Sequence, residues 1–145
     1  MVNYPLNIES VSTANSGIQN EWSSSAGSFG PIGLSIPREF DGPNTQMSPE
    51  DLFAMSLVNC FTATFKVVAE KADLSFEDLK GHAVVSIDHS GENRGDVLVT
   101  EVHFKFNLSG VEEKEKAQRL LEQTSRQCIL INSIKAEPEF EFEVN

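Results

Sequence analysis

Apolar residues crowd one stretch of the chain. Across residues 52–68, Leu52, Phe53, Met55, Leu57, Val58, Phe61, Phe65, Val67 and Val68 cover most of a helix circumference. Ser48-Pro49-Glu50-Asp51 stands directly ahead of it and carries several helix-start signals. Ser48 can cap, Pro49 suits the first helical position, and the two acids complement the positive end of the helix dipole. The pattern predicts a helix ending near Ala69 or Lys71, buried as the central element of the fold. Ser56, Asn59, Thr62, Thr64 and Lys66 interrupt the apolar run, whereas a bilayer span needs roughly 20 predominantly apolar residues. A buried helix is therefore expected, not a membrane span.

Downstream the period changes from helical to alternating. Ala83, Val85 and Ile87 alternate with His82, Ser86 and Asp88, and Leu98, Val102, Phe104, Phe106 and Leu108 alternate with Glu101, His103, Lys105 and Asn107. Two half-buried strands joined across residues 90–95 follow. Ser109-Gly110-Val111-Glu112 has the capping-box spacing, and behind it Ala117, Leu120, Leu121, Thr124, Cys128 and Ile131 recur on one helical face, so Cys128 is expected to point inward. After Pro138, Phe140, Phe142 and Val144 alternate with Glu139, Glu141 and Glu143 in a last strand. Residues 7–36, rich in Ser, Gly and Asn, suit short strands with turns at residues 14–17 and 27–31, and residues 40–47 form a loop by composition. The order predicts an α+β domain spanning residues 1–145, with helices segregated from antiparallel sheet. A helix buried on most sides needs more cover than so small a chain supplies, which predicts a homodimer.

Charge and cysteine content narrow the function. The chain has 22 acidic and 11 basic residues, a net charge of -11, and such a surface repels phosphate backbones and anionic headgroups. No nucleic acid and no membrane are expected as partners. Met1-Val2-Asn3-Tyr4-Pro5 lacks a basic cluster followed by an apolar stretch, so a cytoplasmic protein is expected. The two cysteines, Cys60 and Cys128, are too few for a secreted disulfide scaffold. In a reducing compartment such a pair is catalytic, redox-sensing or plain core. Neither stands at zinc-type spacing from a second ligand, and His82, His89 and His103 fall on strands and their ends, so neither a metal nor a cofactor is expected.

Cys60 shares a helical stripe with Phe53, Leu57, Thr64 and Val67, and it can meet Cys128 in one core. Composition alone favours plain core residues, since free cysteine is among the most buried types. A reactive thiol needs its pKa depressed from about 8.5, usually by a cation. Arg38, the first arginine, stands just ahead of the helix; by itself it reads as solvated. Glu50 complements the helix dipole whatever else it does. It lies ten residues before Cys60, on the order of 15 Å along a straight helix. To serve the thiol it needs a bridging side chain, a two-fold partner or a broken helix. His82 and His103 read as rim residues and Lys66 as a snorkelling one.

The segment Ser48-Pro49-Glu50-Asp51-Leu52-Phe53-Ala54-Met55-Ser56-Leu57-Val58-Asn59-Cys60-Phe61 resembles the Pro-Glu-x-Leu helix ending in Cys-Phe that marks the OsmC/Ohr family of hydroperoxide reductases. Cys128-Ile129-Leu130-Ile131-Asn132-Ser133 is similar to the second cysteine motif of OsmC-like proteins, although it lacks the proline that often follows that cysteine. The resemblance implies an intertwined homodimer with antiparallel sheets around a buried central helix. It implies a peroxidatic Cys60, a resolving Cys128, Arg38 and Glu50 holding the thiolate, and active sites at the subunit interface. A small-molecule hydroperoxide would be the substrate and a dithiol the reductant. Phe53, Leu57 and Phe61 would line the substrate site and favour organic over hydrogen peroxide. Two other readings stay open: a noncatalytic dimer binding a small hydrophobic ligand, and a structural domain with two core cysteines.

Overall fold

Strand pairing divides the chain into two sheets. The computed structural model describes residues 1–91 and 95–145, and by internal contacts it separates into two units, Met1–Leu52 and Phe53–Asn145. In the first unit β1 (Ser10–Thr13), β2 (Trp22–Ala26) and β3 (Phe29–Leu34) form an antiparallel sheet in that order. The first turn closes where the Asn20 N–H donates to the Gly17 carbonyl at 3.1 Å, a few residues beyond the expected position. The second turn is shorter than expected, because β3 already begins at Phe29. No residue of β1 or β2 is buried, and Val11 and Phe29 are exposed. A one-turn 3-10 helix, Arg38–Phe40, follows β3.

Helix α1 runs unbroken from Pro49 to Lys71. Its start is a reciprocal cap: Ser48 Oγ accepts the Asp51 N–H at 3.1 Å, while Asp51 Oδ2 accepts the Ser48 N–H at 2.9 Å. Lys71 in the last turn complements the negative end of the dipole.

The second unit holds β4 (Asp78–His89), β5 (Val97–Ser109), helix α2 (Lys114–Gln127) and β6 (Pro138–Val144), with sheet order β4-β5-β6. Residues 92–94 of the link expected between β4 and β5 lie outside the described residues. β4 and β5 pair antiparallel as expected, but β6 joins β5 in parallel, so this sheet is mixed. The physical reason is the connection: α2 lies between β5 and β6 in the chain, and a helical crossover returns a strand in the same direction as the one before it.

Leu57, Phe61, Phe65, Val68 and Ala69, spaced at three and four residues, form the buried face of α1. Phe61 stacks on Phe106 with ring centroids 3.8 Å apart, and Phe140 and Phe142 stand 6.0 and 5.8 Å away. Gly81 on β4 admits this approach, since a Cβ there would stand 2.6 Å from Phe106 and 2.7 Å from Val58. Each fully buried ring contributes about 1.5–3 kcal/mol from desolvation. Although α1 is long and apolar enough to cross a membrane, this face belongs to the hydrophobic core.

Within one chain α1 is covered on one face only, with Met55 45% and Val67 53% exposed, the incomplete cover that the sequence leads one to expect of a single copy. Two sequence expectations are corrected. Leu98 points outward beside its partner Asp88, because the extra residue Thr100 reverses the alternation of β5 ahead of Glu101, while Ile87 stays on the side of its partner Val99 but is 40% exposed near the end of β4. Ser109-Gly110-Val111-Glu112 is not a helix cap: Ser109 ends β5, its carbonyl accepts the Glu77 N–H at 3.0 Å, and α2 starts at Lys114 behind Glu113 without a side-chain cap.

Candidate active site

Cys60 sits midway along α1, half-buried beside the fully buried Phe61, and packs against the hydrophobic core. Ala117, Leu121 and Thr124 form the buried stripe of α2, and Cys128 continues it one turn on. Cys128 is not within the helix as expected but caps its end. Its N–H donates to the Thr124 carbonyl at 3.1 Å while its own backbone is extended. The chain then knots: the Asn132 N–H donates to the Cys128 carbonyl at 3.0 Å, Asn132 Nδ2 to the Arg126 carbonyl at 2.9 Å, and Ser133 Oγ to the Ile129 carbonyl at 2.7 Å. These bonds replace the helix partners that the last carbonyls lose. They fix Cys128 in place.

The two sulfurs meet. Cys128, with no exposed surface, is in side-chain hydrogen-bonding contact with Cys60, and both cysteines are free thiols. Burial first, then the hydrogen bond to Cys60 and the charge of Cys60, together push the Cys128 thiol up to about 11 against the opposing backbone N–H groups of Ile131 and Leu130. At neutral pH Cys128 is therefore a protonated donor. The half-buried Cys60 is the member of the pair with surface open to solvent. Two thiols in contact, one reachable and one enclosed, can form a dithiol–disulfide couple with little backbone movement.

The other candidates are spread over the chain. Arg38 is exposed on the 3-10 turn of the first unit. Glu50, in the first turn of α1, has a buried Oε2 with no hydrogen-bond partner among the described residues. Because α1 is unbroken, Glu50 and Cys60 stay ten residues apart on one helix, about 15 Å along its axis. Leu57 and Phe61 are core residues, 1% and 0% exposed, and so stand behind any substrate surface. Phe53 instead lines an apolar cleft of about 270 Å³ with Leu98, Val99, Ser133, Ile134, Lys135 and Ala136. Phe53 and Cys60 are seven residues apart, two turns along one helical stripe.

His82 and His103 lie on the outward side of the sheet, where His103 meets Glu139 at 3.0 Å and Glu101 at 3.5 Å. Lys66 is exposed. Among the described residues no group of three His, Cys, Asp or Glu side chains is placed to hold a metal ion. Sequence reasoning missed the Ile131 and Leu130 amides at Cys128, for which no side-chain signal exists. It also missed Asp51 as the capping partner, which the Ser48-x-x-Asp51 spacing encodes.

Comparison with known proteins bears on the whole chain. A model of the OsmC-like protein family matches residues 42–143. No curated protein matches. An OsmC-like protein of unknown function from Vibrio cholerae is similar in structure, with a TM-score of 0.80 at 18% identity over 94% of this chain and 99% of that one. An organic hydroperoxide resistance protein from Elizabethkingia anophelis gives 0.73 at 24% identity over 99% of both chains. The organic hydroperoxide resistance protein OsmC from Legionella pneumophila gives 0.70 at 22% over 94% and 96%. Both helices, the cysteine on α1, the cysteine closing α2 and all but the last residue of the second sheet fall within the matched segment, and the chain belongs to the OsmC-like family.

Proposed function

We propose that this protein is a cytoplasmic thiol-dependent peroxidase that reduces organic hydroperoxides, and hydrogen peroxide less readily. The observation that carries this reading is the contact between the reachable Cys60 sulfur and the enclosed Cys128 sulfur. Cys60 thiolate attacks one peroxide oxygen; the O–O bond breaks, an S–O bond forms, and the alkoxide leaves as an alcohol after taking a proton. The Cys60 sulfenic acid then condenses with the Cys128 thiol, forming the S–S bond and releasing water. An external dithiol restores both thiols by exchange and is itself oxidised to a disulfide.

The remaining residues serve that sequence. Arg38 stabilises the thiolate and orients the peroxide. Glu50 is too far along α1 to touch Cys60 directly and acts by holding the Arg38 guanidinium, for which its unpartnered buried oxygen is available. Phe53 takes the apolar substituent of the peroxide in its cleft, and Leu57 and Phe61 back the site from the core. A homodimer supplies the missing cover: Met55 and Val67 on α1 and Val11 and Phe29 on the first sheet are apolar and exposed.

Thiol titration tests the reading. One equivalent of an organic hydroperoxide should remove both thiols of the reduced protein, and a dithiol should restore them, with Cys60→Ser inactive. Thiols that survive the peroxide, or a Cys60→Ser variant that consumes peroxide like the wild type, would return the protein to a ligand-binding or purely structural role.

A further inference from the structure

Between β3 and α1 the chain makes a loop whose two ends are tied by one hydroxyl. Ser35 is fully buried; its Oγ accepts the N–H groups of Thr45 at 3.1 Å and Gln46 at 3.0 Å and donates to the Gln46 carbonyl at 3.1 Å. One proton and two lone pairs are all a hydroxyl has, so Ser35 is saturated by its loop. The Ser35 N–H continues the clamp to the Met47 carbonyl at 3.1 Å.

Inside the clamp the backbone has little choice of path. The Asn44 N–H donates to the Ile36 carbonyl at 3.1 Å, the Gly42 N–H to the Pro37 carbonyl at 3.0 Å, and the Asp41 N–H to the Arg38 carbonyl at 3.0 Å. Asp41 and Asn44 hold the left-handed conformation, φ 61° and 51°, which Asp and Asn tolerate better than most residues. A Cβ at Gly42 would stand 2.1 Å from the Ile36 carbonyl oxygen, so the loop closes only around glycine. Arg38 stands within this closed loop.

We infer that Ser35 is a positioning residue for Arg38: its hydroxyl holds the loop in the one path that aims the guanidinium. The inference rests on the proposed role of Arg38 beside the Cys60 thiolate. Without the hydroxyl, two amides and one carbonyl lose their partner at the neck of the loop. Arg38 keeps its charge, but its direction is no longer set, and electrostatic stabilisation falls with distance and solvent exposure.

The test is the pH dependence of Cys60 alkylation by iodoacetamide, followed by mass spectrometry of the Cys60 peptide in otherwise unaltered protein. Arg38→Ala should slow alkylation at pH 7 by roughly three- to tenfold and move its pH midpoint upward, a tenfold change being one pH unit. Ser35→Ala should slow it in the same direction. Arg38→Ala combined with Ser35→Ala should be no slower than Arg38→Ala alone, because both act through one guanidinium. Should Ser35→Ala not fold, Gly42→Ala disturbs the same loop from its other side and should give the same upward movement. Wild-type alkylation in the foldable Ser35 or Gly42 variant, with Arg38→Ala slow, overturns the inference and leaves Arg38 its role. Wild-type alkylation in Arg38→Ala removes that role and this inference with it.

Discussion

Phe61 lies against Phe106 with ring centroids 3.8 Å apart and an interplanar angle of 19°, both rings fully buried. The stack seats α1 on the second sheet at the residue after Cys60, so it sets where the Cys60 sulfur stands. Phe61→Ala should cost about 3–5 kcal/mol, as large-to-small changes at buried rings do, read from urea unfolding of the reduced protein. Phe53→Ala, at the half-buried cleft, should cost under about 2 kcal/mol. Its main effect should be a raised KM for bulky hydroperoxides, with kcat kept.

Cys128→Ser separates the two chemical steps. The first oxidation needs only Cys60, so one equivalent of hydroperoxide should still be consumed. With no second thiol the sulfenic acid should persist, and dimedone should label the Cys60 peptide. Turnover with a dithiol should fall by about tenfold or more. Failure to trap any Cys60 adduct would count against the sulfenic acid route.

The reduced protein should lose stability at high pH through Cys128. Burial, followed by the hydrogen bond its S–H donates to Cys60, raises its thiol from 9.0 to about 11. Near pH 9 the unfolded chain therefore releases a proton that the folded one keeps, and above that the unfolded state gains. The contribution is whole below about pH 9 and is lost as pH climbs through about 11, on the order of 2 kcal/mol in total. Urea midpoints at pH 8 and pH 10.5 under reducing conditions should diverge more for wild type than for Cys128→Ala.

Gly81→Ala should strain the same contact from the sheet side. Its Cβ would stand 2.6 Å from Phe106 and 2.7 Å from Val58, and the cost should be about 1–3 kcal/mol. A lowered melting temperature with normal dimedone labelling of Cys60 in the Cys128→Ser background would show that the sheet yields and α1 does not.

Periodicity made the elements legible. The spacing of Leu57, Phe61 and Phe65 gave α1 and its buried face, and the alternation of Val102, Phe104, Phe106 and Leu108 gave the buried side of β5. What periodicity does not carry is pairing. Nothing in Phe140, Phe142 and Val144 distinguishes a parallel neighbour from an antiparallel one; the signal was the helix between two strands. The shift after Ser86 was hidden because one extra residue leaves composition unchanged while reversing the faces, which is why Leu98 was misplaced. The sulfur contact was open to inference from two inward-facing positions. The enclosure of Cys128 by backbone amides was not, because backbone groups leave no mark in the sequence.

β6 is an edge of its sheet, and its outward residues Glu139, Glu141 and Glu143 all carry carboxylates. Lys105 takes two of them, at 2.9 Å to Glu141 and 2.6 Å to Glu143, and His103 takes Glu139. An extra strand arriving from another molecule would have to lie beside this acidic row, losing hydration without gaining a matching cation. The border that completes the sheet thereby discourages its runaway extension, and helps to keep a protein with so much bare apolar surface from polymerising.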